Sequence, residues 1–256
     1  VIEDSADTLG AKLNGKKSGF FSDMSITSFY GSHIINCAGN GGALAINDEK
    51  VMERSKLLRS WGRSSSLFDE KSEDIENRFD VRLDNIEYDA KFVFETIGYN
   101  MEGSEIGAAF GLAQLEDLDN NIRIRGINFK KQLEFFKGLE GYFNLPQETA
   151  GSETAWLAFP ISIKSDAPFS RQQFQIFLEK SNIQTRVVFS GNIIRQPMMR
   201  NQVFRVPSTS LEIADDVMRN GVLLPVHHGL TDKMFNRFKE VVTDFIKKIE
   251  LGHFKL

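Results

Sequence analysis

The sequence predicts an α/β protein: a portion of a mostly parallel sheet domain over residues 1–120, then a linking helix and a small α+β domain over 121–256. Three features carry that prediction. Short apolar runs alternate with turns and helical spacing through the first sixty residues. A long amphipathic stretch ends near Leu139, and a strand–helix–strand succession begins at Trp156. A chain of 256 residues can bury a sizeable core in one or two domains.

In order, Val1-Ile2, Gly19 to Phe21, Met24 to Phe29 and Ala43 to Ile46 read as strands. Glu49 to Trp61 has helical spacing that lets Val51, Leu57, Leu58 and Trp61 share a face, with Asp48 as N-cap and Gly62 as stop. Ser64 to Asp89 is polar, acidic and weakly periodic, which predicts a long surface loop. Ser104-Glu105 opens a helix through Gln114 and Leu115. The long helix that follows carries Ile122, Ile127, Leu133 and Phe136 toward the second domain. There, Trp156 to Ile163 alternates as a strand, Ser170 to Lys180 reads as a helix and Thr185 to Phe189 as a strand. Leu211 to Asn220 and Lys233 to Ile249 read as helices.

A formal net charge of −4 gives no electrostatic case for nucleic acid or an anionic membrane as partner. No apolar run approaches the length of a transmembrane helix, and no signal-peptide pattern opens the chain. The single cysteine, Cys37, excludes an internal disulfide and fits a reducing cytoplasm. Its neighbours are not cationic, so it reads as a small buried hydrophobe.

Ser28 to Gly42 is the stretch around which the chain is organised: Ser-Phe-Tyr-Gly-Ser-His-Ile-Ile-Asn-Cys-Ala-Gly-Asn-Gly-Gly. A Gly/Asn-rich connection between two strands is ordinarily a hairpin turn, and on that reading His33 is only a polar residue near a turn. The start of the chain supplies the other reading. Val-Ile-Glu-Asp-x-Ala-Asp-x-Leu-Gly, then Ser-Phe-Tyr-x-x-His, then a glycine-rich turn resembles the DegT-type sugar aminotransferases, fold-type-I pyridoxal phosphate (PLP) enzymes. Gly98-Tyr99-Asn100 and the helix after it resemble the same family, with Met101-Glu102 in place of its aromatic–arginine pair. So do Gln184-Thr185-Arg186, Ser190-Gly191-Asn192 and Arg195-Gln196-Pro197.

That resemblance implies a set of roles. The position of His33 is ordinarily the lysine that joins PLP covalently. Histidine there is similar to the ColD-type 3-dehydratases of nucleotide-activated 4-keto-6-deoxy sugars, enzymes of 3,6-dideoxysugar and lipopolysaccharide (O-antigen) biosynthesis. Such a site holds the amine form of the cofactor, pyridoxamine phosphate (PMP), without a covalent bond and keeps a proton shuttle. Asp4 would face the protonated pyridine nitrogen and keep the ring an electron sink. Asp7 would lie near the ring hydroxyl, and Ser28 would donate to the phosphate. Asn100 would reach the phosphate of a neighbouring subunit, which implies a homodimer with shared sites. Arg186 and Arg195 are candidate substrate clamps because the guanidinium fork is planar and permanently charged. His227 would stand near the substrate. Its neighbour His228 gives no metal site, because adjacent residues on an extended chain point opposite ways and no ligand partner stands at the right spacing.

Reductase-coupled members of the subgroup hold an iron–sulfur cluster, with one ligand at the position of Ala6 and three in the loop after Ser64. This sequence has cysteine at none of them, so no cluster is expected and glutamate is implied as amino donor. By the same resemblance, about the first two-fifths of the family's length would precede Val1, so the chain reads as a fragment. A nucleotide-sugar aminotransferase and a non-catalytic truncated fragment stand as alternatives to the dehydratase.

Overall fold

The computed structural model describes residues 1–68, 74–207 and 210–253. In chain order the strands are β1 (Ile2–Asp4), β2 (Lys12–Leu13), β3 (Lys16–Lys17), β4 (Met24–Ser28), β5 (Gly42–Ile46), β6 (Val81–Leu83), β7 (Ile86–Tyr88), β8 (Phe143–Asn144), β9 (Ser152–Glu153), β10 (Ala158–Ile163), β11 (Arg186–Val187) and β12 (Gly221–Pro225). The α-helices are α1 (Glu49–Arg59), α2 (Ile75–Phe79), α3 (Glu105–Leu115), α4 (Leu118–Lys137), α5 (Arg171–Lys180), α6 (Glu212–Asn220) and α7 (Asp232–Glu250). The chain divides into two compact units, one of residues 1–9 and 16–117, the other of residues 10–15 and 118–256. Among the described residues no helix is long and apolar enough to cross a membrane.

In the first unit β1 pairs parallel with β4, and β4 pairs antiparallel with β5. The register places Asp4 beside Ile26 and Ile26 beside Leu44, while Ser28 faces Gly42. Gly19 to Phe21 forms a turn instead of the expected strand: Gly19 has φ +86°, and the Phe20 amide closes back on the Lys17 carbonyl at 3.1 Å. Helix α1 begins where Asp48 accepts from the Val51 amide at 2.9 Å. It ends as the Gly62 amide returns to the Leu57 carbonyl at 2.8 Å, with Trp61 and Gly62 both at positive φ. A Cβ at Gly62 would stand 1.8 Å from the Thr96 carbonyl oxygen, so no other residue fits there.

The expected loop from Ser64 to Asp89 is more structured than its polarity suggests. It contains a 3-10 turn at Ser64–Leu67, α2, and a β6–β7 hairpin closed by Asp84-Asn85, both at positive φ as a type I′ turn requires. Residues 69–73 of that loop lie outside the described residues. Arg78 holds α2 against the end of β7 through its Nε, 2.8 Å from Asp89.

The second unit is a four-stranded antiparallel sheet in the order β11-β12-β10-β8. The strand–helix–strand succession β10-α5-β11 exists, but β12 lies between its two strands in the sheet. Strand β10 alternates as predicted, with Phe159, Ile161 and Ile163 buried. The core is built on phenylalanine. Phe136 is fully buried, its ring centroid 5.3 Å from that of Phe143 and 5.5 Å from that of Phe159. Helix α5 opens with a reciprocal Ser170–Gln173 capping box, and Thr231 caps α7. Residues 10–15 belong here because Lys12 and Leu13 pair with Glu153 and Ser152.

Candidate active site

In the first unit β1 and β4 run parallel, so both end at the same edge of their sheet, where open α/β sheets place their ligands. Asp4 ends β1 and Ser28 ends β4. Ser28 lies two residues beyond Ile26, the partner of Asp4, so Asp4 and Ser28 project from the same face. The Asp4 carboxylate accepts from the Ala6 amide at 3.1 Å and is otherwise open to solvent. Ser28 Oγ accepts from the Tyr30 amide at 3.2 Å, which leaves its own proton to donate. Ile26 and Leu44, both more than a third exposed, give this face an apolar floor.

Strands β4 and β5 are antiparallel neighbours, so residues 29–41 do connect a hairpin. They form a folded loop rather than a tight turn. Phe29 donates to the Gly41 carbonyl at 2.8 Å, Gly31 to Gly39 at 2.9 Å, and Cys37 to Phe29 at 2.9 Å. Ile34 and Ile35 bury themselves beneath it. His33 is mostly shielded, with Nδ1 2.9 Å from Asp7 Oδ1, close enough to pair with it whenever the ring is protonated but outside hydrogen-bond alignment. With Nδ1 turned to Asp7, Nε2 is the atom left to exchange a proton. The Tyr30 ring stands edge-on at 6.5 Å. Cys37 is half-buried, not fully buried as expected, and lies against Gly41, Gly107 and Gly111.

Beside these groups, Glu3 accepts from Ser5 Oγ at 2.5 Å and from the Gly19 amide at 2.8 Å, and these hydrogen bonds lower its carboxyl from the ordinary range. Asn100 is exposed on a segment bridged to Ser60 and makes no hydrogen bond to Asp4, Asp7, Ser28 or His33. Glu102, where the family has arginine, is tied within the unit to Ser60 Oγ and to Arg59 at 3.5 Å.

The remaining candidates lie in the second unit. Arg186 is exposed on the edge strand β11. Arg195 is engaged: its Nε and Nη2 hold Asp215 at 3.0 and 2.7 Å, and Asn192 Nδ2 adds a third contact at 2.8 Å. The Arg195 hydrogen bond, then that from Asn192, lowers the Asp215 carboxyl to about 2. His227 and His228 do not point opposite ways as an extended chain would have them; their rings stack at 4.2 Å. The chain is curled there, with the Gly229 amide on His227 Nδ1 at 2.9 Å and the Leu230 amide on the His227 carbonyl at 3.0 Å. Burial pushes both imidazoles below their ordinary range, joined for His227 by the neighbouring His228 and then Arg125, and for His228 by Arg125. No cluster of three metal-ligating side chains occurs among the described residues.

Asp7 beside His33 is a contact that sequence spacing alone does not reveal, since 26 positions separate them. Gln114 of α3 is the residue sequence reasoning missed. Its amide bonds the backbone of Asn36, three residues past His33. The open carboxylate of Asp4, the apolar Ile26–Leu44 floor and the free hydroxyl of Ser28 fit a flat, protonatable ring bearing a phosphate, as PLP is.

Comparison with known proteins follows the same line. The model of the family described as "DegT/DnrJ/EryC1/StrS aminotransferase family" matches residues 1–243. A dTDP-4-dehydro-2,6-dideoxy-D-glucose 3-dehydratase of Saccharopolyspora spinosa is 32% identical over 250 residues, covering 97% of this chain and 54% of that protein. The lipopolysaccharide biosynthesis protein RfbH of Salmonella typhimurium is 31% identical over 246 residues, covering 94% of this chain and 56% of that protein. Among solved structures, an E. coli GDP-4-keto-6-deoxy-D-mannose-3-dehydratase with bound hydrated PLP matches with a TM-score of 0.74 and 24% identity. That match covers 94% of this chain and 59% of the other. The chain spans about half the length of the curated relatives it matches.

Proposed function

The chain belongs to the DegT/DnrJ/EryC1/StrS aminotransferase family, and from that membership we propose that it carries the proton-transfer site of a PLP/PMP-dependent 3-dehydratase. The substrate is a nucleotide-diphosphate 4-keto-6-deoxyhexose on the route to a 3,6-dideoxysugar of lipopolysaccharide. Relatives in the family include both sugar 3-dehydratases and an aminotransferase. The observation that carries the choice is histidine at position 33, with Nδ1 held by Asp7. An imidazole cannot make the covalent link that transaminases use, yet it moves protons near neutral pH.

When bound, the cofactor supplies an electron sink beside the sugar carbonyl. The chain's own residues do the rest. Asp4 would oppose the ring nitrogen and keep it protonated, Ser28 would donate to the phosphate, and Ile26 and Leu44 would support the ring. His33 Nε2 accepts a proton and returns it to the departing 3-hydroxyl, while Asp7 stabilises the imidazolium between the two transfers. Arg186 is the better substrate clamp of the two arginines, because Asp215 occupies the fork of Arg195. His227 is a weaker substrate contact, with its Nδ1 already accepting from Gly229. In the assembled enzyme, a homodimer of the cytoplasm, Asn100 reaches the cofactor phosphate of the neighbouring subunit. Residues 1–120 supply the C-terminal portion of the large cofactor-binding domain and 121–256 the linking helix and small domain.

Reducing equivalents do not enter through this chain, since its one cysteine, Cys37, cannot hold an iron–sulfur cluster. An amino donor, glutamate, would instead supply the amine form of the cofactor. The test is to titrate PMP into the protein while following cofactor absorbance, then to assay sugar dehydration with His33→Asn. Dehydration at an unaltered rate in that variant, with PMP bound, refutes the assignment.

A further inference from the structure

We propose that one face of α3, formed by Gly107, Gly111 and Gln114, positions His33 by clamping the backbone of its loop; the catalytic meaning of this clamp rests on the proton-transfer role assigned above. The three residues follow the i, i+4, i+7 spacing of a single helical stripe. Gln114 Nε2 donates to the Asn36 carbonyl at 2.8 Å. Its Oε1 accepts from the Asn36 amide at 3.4 Å and from Asn36 Nδ2 at 3.5 Å. One side-chain amide thus satisfies both backbone groups of a residue three positions from His33, as a neighbouring strand would.

The glycines make that reach available. A Cβ at Gly107 would stand 2.7 Å from the Cys37 carbonyl oxygen, and one at Gly111 would stand 3.0 Å from Cys37 Sγ. Larger residues would hold α3 off the loop and carry Gln114 out of range. The loop's other backbone ties are local: Phe29, Gly31, His33 and Cys37 donate to carbonyls within residues 29–41 and Tyr30 donates to Ser28 Oγ at the strand end, while Asp7 meets only the His33 side chain. A glycine-rich loop bonded to itself keeps its shape without fixing its place; Gln114 and the buried Ile34-Ile35 fix its place. A base must hold its donor within about 2.6–3.2 Å, so small displacements of this loop are costly to proton transfer.

Cys37 is the only cysteine and touches the same face of α3, so its reactivity reports the clamp directly. The experiment compares the wild-type chain with Gln114→Met, which keeps length and loses the hydrogen bonds, and with Ser104→Ala, which removes the α3 N-cap alone. Cys37 modification by an aromatic disulfide reagent and the His33 ring signals in histidine-labelled NMR spectra are followed without cofactor or sugar. In Gln114→Met, modification accelerates by about tenfold or more through local opening, and the His33 signals shift and lose their contact to Tyr30. In Ser104→Ala the melting temperature falls while both readouts stay at wild-type values. The proposal is overturned if Gln114→Met leaves both unchanged, or if Ser104→Ala changes them equally. Because neither readout involves turnover, a failed His33→Asn assay would remove the catalytic role while leaving this result intact.

Discussion

Replacing Asp7 by asparagine tests whether the carboxylate works through His33 or on the cofactor. The Nδ1–Oδ1 separation is 2.9 Å, with the His33 side chain 15% exposed and that of Asp7 47% exposed. Coulomb's law at that distance gives roughly 6 kcal/mol at an effective dielectric of about 20 and roughly 1.4 kcal/mol at that of water. Since Asp7 is half in solvent, the lower figure applies, and it corresponds to about a tenfold loss in the rate of a step that forms an imidazolium. His33→Asn removes the base itself and should cost roughly a hundredfold or more. The assay is steady-state dehydration by the PMP-loaded enzyme at saturating nucleotide sugar, with cofactor affinity measured in parallel. Asp7→Asn should lower kcat about tenfold, leave KM and PMP affinity unchanged, and add nothing in the double variant with His33→Asn. Weakened PMP binding at an unchanged kcat would refute the argument and assign Asp7 to the cofactor ring.

Other outcomes follow from the fold. His227 and His228 have imidazoles lowered from 6.5, so above that pH both folded and unfolded chains carry them neutral; as pH falls below it, the unfolded chain takes up protons that the folded one resists. Thermal stability should therefore decline from about pH 6.5 downward, and the His227→Gln, His228→Gln double variant should flatten that decline in a calorimetric series. Phe136→Ala removes a fully buried ring from the second unit and should cost about 3–5 kcal/mol in urea unfolding followed by Trp156 fluorescence. Gly62→Ala forces a Cβ to 1.8 Å from the Thr96 carbonyl oxygen at a positive φ, and should destabilise the first unit by more than about 1 kcal/mol in urea unfolding followed by Trp61 fluorescence.

Local chemistry was legible in the sequence. Asp48, Ser104 and Ser170 stand at the N-caps of α1, α3 and α5, because a cap is decided by residues within one turn of it. The β10 strand announced itself by period-two alternation. Its neighbour β12 did not: Gly221-Val-Leu-Leu-Pro is covered nearly throughout, and a short apolar run without alternation cannot be told from the end of a helix. The β6–β7 hairpin escaped for another reason. Its turn is Asp-Asn rather than Asn-Gly or Asp-Gly, and its strands, Val-Arg-Leu and Ile-Glu-Tyr, are only three residues each, too short for their alternation to stand out. At the candidate site, Asp4, Ser28 and His33 were visible as residue types at family spacing. The Asp7–His33 and Gln114–Asn36 contacts join positions far apart in sequence, and only the folded backbone pairs them.

The buried apolar side chains are unevenly shared. The contiguous cluster lies wholly in the second unit, while the first unit contributes only Ile34, Ile35 and Ala90 to the buried hydrophobic set of the described residues. Amide hydrogens of β10, β12 and α7 should then exchange only through global unfolding, and those of β1, β4 and β5 through cheaper partial openings. A ligand bound to the first unit raises the cost of each such opening, by about 2.7 kcal/mol at a hundred times its dissociation constant. For this chain a cofactor would therefore be a folding ligand before it is a reagent, and slowed exchange in β1 and β4 would report its binding ahead of any turnover.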